Sequence, residues 1–150
     1  MELYFLRHGD AEVGGERPLS DRGREEMEAV AARLKRLELG LDVIYTSPLL
    51  RAKQTAEIVG QALRVQVVVS DLLDSGARLE DIIELLMPHG RGDSVMLVGH
   101  EPDFSAVIGD LIGSGAVEMK KAGLARITCE KVGAAAGVLK WLAPPRLLVG

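Results

Sequence analysis

The run Leu3-Tyr4-Phe5-Leu6-Arg7-His8-Gly9 decides how this chain is read. Glu2 to Leu6 is short, apolar and bounded by a polar turn, the pattern of a buried strand. Where that run stops, the chain places a guanidinium, an imidazole and a glycine. A second apolar run, Val95-Met96-Leu97-Val98-Gly99, ends in His100. In open α/β sheets the ligand crevice lies outside the carboxyl ends of the strands. Two strand-end histidines and an adjacent arginine point to one chemistry above others, phosphoryl transfer through a histidine.

Working outward, helix and strand patterns alternate. Ser20 caps a helix whose first turn carries Asp21, and Met27, Val30, Ala31, Leu34 and Leu37 fall on one face, with Gly40 as the stop. Val43-Ile44-Tyr45 is the second strand. Ser47-Pro48 reads as a cap with proline at the first helical position, followed by the stripe Ala52, Thr55, Ala56, Val59 and Leu63. Val65 to Val69 is a third short strand. Leu79, Ile82, Ile83, Leu86 and Met87 form another helical face, Ser94 to Val98 is the strongest strand, and Pro102 opens a helix carrying Phe104, Val107, Ile108 and Leu111. Leu124 to Cys129 and Val138 to Leu142 are a last pair of strands, antiparallel at one side of the sheet. The alternation predicts a mainly parallel sheet with helices on both faces, in a single domain spanning residues 1–150.

Composition narrows the partners. Hydrophobic residues make up 47% and aromatics 3%, so the core is aliphatic. A net charge of −4 argues against nucleic acid, whose phosphates need a basic face, but leaves room for a small basic pocket. The single cysteine, Cys129, allows no internal disulfide and fits a reducing compartment. No apolar run reaches the length of a membrane-spanning helix, and the N-terminus enters a strand at once. The expectation is a cytoplasmic protein with no membrane partner.

His8 is the candidate nucleophile. A neutral imidazole can attack phosphorus in line and hold the phosphoryl group covalently until water removes it. That requires a neutral ring with its other nitrogen pinned by an acceptor. Neighbouring arginines favour neutrality by lowering the ring's proton affinity. Gly9 lets the backbone turn tightly beside the ring. Arg7 and Arg51 offer rigid donor forks matched to phosphate oxygens. Arg51 lies in the first turns of a helix, where a cation opposes the macrodipole and a bound phosphate would resolve the conflict. His100 can donate to a phosphoryl oxygen as charge develops. Each residue alone has a plainer reading as a salt bridge, a cap or a core polar group.

Together the segments resemble a known family. Leu6-Arg7-His8-Gly9-Asp10-Ala11 is similar to the signature of the histidine phosphatase superfamily, also called phosphoglycerate-mutase-like. Ser47-Pro48-Leu49-Leu50-Arg51-Ala52-Lys53-Gln54-Thr55 resembles its second motif, and Val98-Gly99-His100-Glu101-Pro102 its third. Asp10-Ala11, the segment Arg17-Pro18-Leu19-Ser20 and the short length resemble the phosphohistidine phosphatase SixA branch. The resemblance implies a three-layer α/β/α sandwich and a pocket of Arg7, His8, Arg51 and His100, with His8 phosphorylated and the other three holding phosphoryl oxygens. It implies no metal and no cofactor. Arg17 matches an arginine of the SixA branch and is a further candidate for reaching phosphate or substrate.

Substrates with a poor leaving group need a proton donor. Asp71 and Asp74 are the candidates, each with an alternative role as a turn cap. The expected substrate is phosphohistidine on a phosphotransfer protein, whose P–N bond is labile. The alternatives are a small phosphate monoester, a non-catalytic phosphate-binding module, and a metal-dependent phosphoesterase using His8, Asp10 and His100.

Overall fold

The computed structural model describes residues 1–149. Six strands form one sheet: β1 (Glu2–Arg7), β2 (Val43–Thr46), β3 (Val67–Val69), β4 (Ser94–Gly99), β5 (Leu124–Cys129) and β6 (Gly137–Ala143), in the order β3-β2-β4-β1-β5-β6. β3, β2, β4 and β1 run parallel, and β5 is antiparallel to both β1 and β6. Among the described residues five helices accompany them: α1 (Asp21–Leu37), α2 (Leu50–Leu63), α3 (Leu79–Leu86), α4 (Asp103–Ile112) and α5 (Pro145–Val149).

Alternation along the central strands sorts the core into two layers. Leu3 and Phe5 of β1 and Val95 and Leu97 of β4 pack under Ile82 and Leu86 of α3 and Phe104, Val107 and Ile108 of α4. Tyr4, Leu6, Met96 and Val98 point the other way, against Met27, Val30 and Leu34 of α1, Ala56 and Val59 of α2 and Leu148 of α5. The result is the expected α/β/α sandwich. All six residues of β4 are buried, as expected of a central parallel strand covered on both faces.

Three local expectations need correction. The first helix ends at Leu37, with Glu38 rather than Gly40 in the left-handed conformation that closes it. α2 begins at Leu50, so Pro48 lies outside it, and Leu49 at its N-cap makes no side-chain cap bond. Ser47 is therefore not its cap. A 3-10 turn (Asp71–Leu73), capped by the Ser70 hydroxyl, and the short α5 were not anticipated. The Ser20 cap stands: its hydroxyl accepts from the Gly23 amide at 2.9 Å.

The turn after β1 is packed hard against α1. A Cβ on Gly23 would lie 2.1 Å from the Asp10 carbonyl oxygen, and one on Gly9 would lie 2.9 Å from Met27. Both glycines are there for close approach of helix to loop. The φ of Gly9 is not positive, so the close contact with Met27, rather than a left-handed backbone, is what calls for glycine there.

Candidate active site

Three adjacent parallel strands deliver their next residues to one place. Arg7 stands opposite Gly99, and Thr46 opposite Val98, so the residues that follow (His8, His100 and Ser47) share the carboxyl edge of β1, β4 and β2. The His8 amide donates to Gly99 O at 3.1 Å and the Ser47 amide to Val98 O at 3.0 Å, which extends the ladder one step beyond the sheet. α1 and α2 cover one face and α3 and α4 the other, so this edge is where the connections change sides, the usual location of a ligand crevice.

His8 is 6% exposed. Its Nδ1 lies 2.7 Å from the carbonyl oxygen of Gly9, an acceptor only, so Nδ1 carries the proton. Nε2 is left as a lone pair, and the Arg51 Nε–H donates towards it at 3.3 Å. Burial pushes the proton affinity of the ring down to a pKa of about 4, with His100, Arg51 and Arg7 adding to the shift and the Gly9 hydrogen bond opposing it. The arginines were expected to be the cause; loss of water outweighs them. Either way the ring is a neutral base at ordinary pH.

Arg51 is placed by the first turn of α2. One turn on, the buried Thr55 hydroxyl donates to Arg51 O at 2.8 Å and accepts from the Gly9 amide at 3.1 Å. That amide therefore supports the loop and is not free to meet a ligand, as a substrate-binding Gly9 would require. Gln54 Oε1 accepts from the Leu19 amide at 2.7 Å and holds the far end of the same loop. Arg7 Nη1 donates to Met119 O at 2.9 Å.

His100 is 3% exposed, with its ring centroid 5.3 Å from that of His8. Burial lowers its pKa to about 4, helped by Arg51 and Arg7 and opposed by Asp103 and Asp74. Its Nε2 lies 2.7 Å from the Ser47 hydroxyl. Two buried nitrogens of this cluster, Arg7 Nε and His100 Nδ1, have no hydrogen-bond partner among the described residues. A buried polar atom without a partner is costly, and at a cluster of cationic and neutral donors an anion would satisfy it.

The remaining candidates divide. Arg17 is exposed, at φ 55°, with its Nε donating to Glu12 O at 3.3 Å, and its charge reaches Arg51, where together with burial it lowers the guanidinium's proton affinity. Asp74 lies close enough for its charge to act on both Arg51 and His100, whereas Asp71 exerts no such influence. Asp74 Oδ1 also accepts from the Ser75 amide at 2.7 Å, the capping role considered for it. Asp10 is turned to Lys121 at 2.9 Å and Ser20 at 2.8 Å, and these bonds hold its carboxyl below the usual range. Ser47 and Thr55 of the second motif carry roles beyond the helix cap and helical stripe that the sequence suggests for them, and Gln54 carries one that the sequence did not suggest. Asp103, whose Oδ2 accepts from the Gly76 amide at 2.8 Å and so ties down the Asp74 loop, carried no signal at all. A hollow of about 430 Å³ beside Arg7, bounded by Asp10, Arg22, Lys120 and Lys121, adjoins the cluster. A hollow of about 690 Å³ against α4 contains no histidine or arginine and has no part in this chemistry.

A buried imidazole lone pair with the Arg51 guanidinium beside it can serve as a nucleophile, and comparison with known proteins gives the class to which the chain belongs. A model of the histidine phosphatase superfamily (branch 1) matches residues 3–75. An uncharacterised protein of Picosynechococcus sp. is 40% identical over 112 residues, covering 69% of this chain and 68% of that one. The phosphohistidine phosphatase SixA of Escherichia coli is 27% identical over 155 residues, covering 97% of this chain and 94% of its own. The solved structure of the protein histidine phosphatase SixA complexed with tungstate aligns with a TM-score of 0.89 and 25% identity over 99% of both chains. The chain belongs to the histidine phosphatase superfamily. It is a phosphatase, homologous to SixA along nearly its whole length.

Proposed function

We propose that this protein hydrolyses phosphohistidine on a protein substrate through a covalent phosphohistidine at its own His8. The observation that carries the reading is the bare Nε2 of His8, with Nδ1–H committed to Gly9 O and Arg51 at its side. Nε2 attacks phosphorus in line. The bond to the substrate imidazole breaks as the bond to His8 forms, the departing nitrogen takes a proton from solvent water, and phospho-His8 keeps its Nδ1–H on Gly9 O. Water then attacks phosphorus, releasing phosphate and restoring the neutral His8. Arg7, Arg51 and His100 hold the phosphoryl oxygens in both steps, and Arg17 reaches the same group from the loop. Nitrogen leaves and nitrogen attacks, so the first step is close to balanced and asks little of a proton donor. Similarity to SixA along both full chains supports the protein substrate, and the tungstate bound to that relative is a tetrahedral dianion shaped like phosphate. The test mixes the purified protein with a phosphohistidine-bearing phosphotransfer protein and follows loss of label. A folded sample that releases no phosphate rejects the proposal.

One observation favours a second reading, a small phosphate monoester as substrate. The charge of Asp74 is felt at His100 and Arg51, and a carboxyl near this edge, in its protonated form, could give its proton to an alkoxide leaving group. Asp74→Asn then lowers monoester hydrolysis by about 10²–10⁴-fold and leaves P–N cleavage nearly unchanged, while Asp71→Asn affects neither. Equal loss in both reactions would remove Asp74 from the leaving-group role.

A further inference from the structure

We infer that Ser47 is a positioning residue that fixes His100 as the tautomer protonated on Nδ1, so that a single N–H is presented to the phosphoryl group. This presupposes a phosphoryl group between the two histidines, as proposed above. Ser47 is completely buried. Its Oγ accepts the Leu49 amide at 3.2 Å and lies 2.7 Å from His100 Nε2. Among the described residues these are its side-chain hydrogen bonds. The hydroxyl has one hydrogen to place. If His100 carried its proton on Nε2, the Ser47 oxygen would receive two N–H groups, and its own hydrogen would be buried without an acceptor. If Nε2 is bare, Ser47 O–H donates to it, the Leu49 N–H donates to Ser47, and every group between them is satisfied. The proton of His100 then sits on Nδ1, the buried nitrogen that no group among the described residues meets.

The chemistry agrees with this assignment. A lone pair on Nδ1 would face the oxygens of an anion and repel them, whereas an N–H donates. His8 and His100 are thus the same tautomer used from opposite ends. His8 pins Nδ1–H on a carbonyl and offers the Nε2 lone pair to phosphorus. His100 pins Nε2 on a hydroxyl and offers Nδ1–H to oxygen. The second motif therefore supplies the clamp Arg51 and, four residues earlier, the group that orients the other strand's histidine.

The test is nitrogen NMR of the full-length protein labelled with ¹⁵N-histidine, correlating the ring nitrogens of His100 with its carbon-bound protons. The expected spectrum shows a protonated Nδ1 and a bare Nε2 at neutral pH. A proton on Nε2 in the folded wild type overturns the assignment. In Ser47→Ala the fixed tautomer is expected to be lost and kcat to fall about 10–100-fold, with Ser47→Thr, which keeps the hydroxyl, recovering both. Retention of the Nδ1–H form in Ser47→Ala overturns the role of Ser47, whatever the rate. Quenching the wild type during turnover separates the two claims: no phosphate on His8 defeats the phosphatase mechanism, while phospho-His8 together with an Nε2–H His100 defeats this inference alone.

Discussion

At the scale of the residue, the site works by keeping two imidazoles neutral beside cations. Both are held to a pKa of about 4, mainly because water is excluded from them. The unfolded chain takes up a proton on each ring near pH 6.5, while the folded protein refuses it until about pH 4. The contribution of these rings to stability is therefore complete above pH 6.5 and is lost as the pH falls from there towards 4. Urea midpoints measured between about pH 7 and about pH 5 should decline, and that decline should shrink in a His8→Ala, His100→Ala double variant. An unchanged slope in that variant would mean that other groups are responsible. His8→Ala should lower turnover by about 10⁴-fold or more, since it removes the proposed nucleophile itself. Arg51→Ala should cost about 10²–10³ in kcat, the usual scale for losing one preorganised donor. Arg51→Lys should recover only part of it, because an ammonium cannot reproduce the guanidinium fork. Steady-state rates on one phosphohistidine substrate measure all three.

At the scale of the element, the site depends on α1 and α2 pressing the loop after β1 into place. Gly23→Ala would drive a methyl into the Asp10 carbonyl, 2.1 Å from where its Cβ must sit. Backbone cannot yield as a flexible side chain does, so the variant should lose about 1–3 kcal/mol of stability and some activity together. Thr55→Val keeps the shape but leaves the Gly9 amide without its acceptor, at a cost of about 1–3 kcal/mol. Thermal and chemical denaturation check both; wild-type stability in either would show that the loop relaxes freely.

Most of this layer was legible in the sequence. Strands and helices with strong local periodicity, such as β4 and α1, came out close to their bounds because their patterns are set by burial on known faces. Ser47-Pro48 misled because its cap signature is local, while its partner, His100, is 53 positions away. Contact across adjacent strands is fixed by sheet order, which periodicity does not encode. Asp103 was hidden for the same reason: it meets Gly76 only because α4 and the loop before α3 are brought together by the sheet.

At the scale of the whole molecule, the strand order gathers the three motifs. They lie at residues 6–11, 47–55 and 98–102, yet β2, β4 and β1 are neighbours, so one edge receives all of them. With both faces of the sheet covered and both core layers sharing β1 and β4, we propose that the chain unfolds as one unit. Trp141 packs edge-on against Tyr4, joining β6 to the central strand, and so reports on the far side of the sheet from β3. Its fluorescence and far-ultraviolet circular dichroism should follow one coincident transition in urea. Separate transitions would divide the chain into independent parts.

The central claim is that phosphorus passes through His8, and trapping tests it most directly. The protein is mixed with a labelled phosphoryl donor, quenched in alkali within the turnover time, and mapped by mass spectrometry of its peptides. Acid-labile, base-stable phosphate on His8, absent from His8→Ala and lost on further incubation, is the predicted result. Turnover with no phosphate on His8, or with phosphate on another side chain, would contradict it.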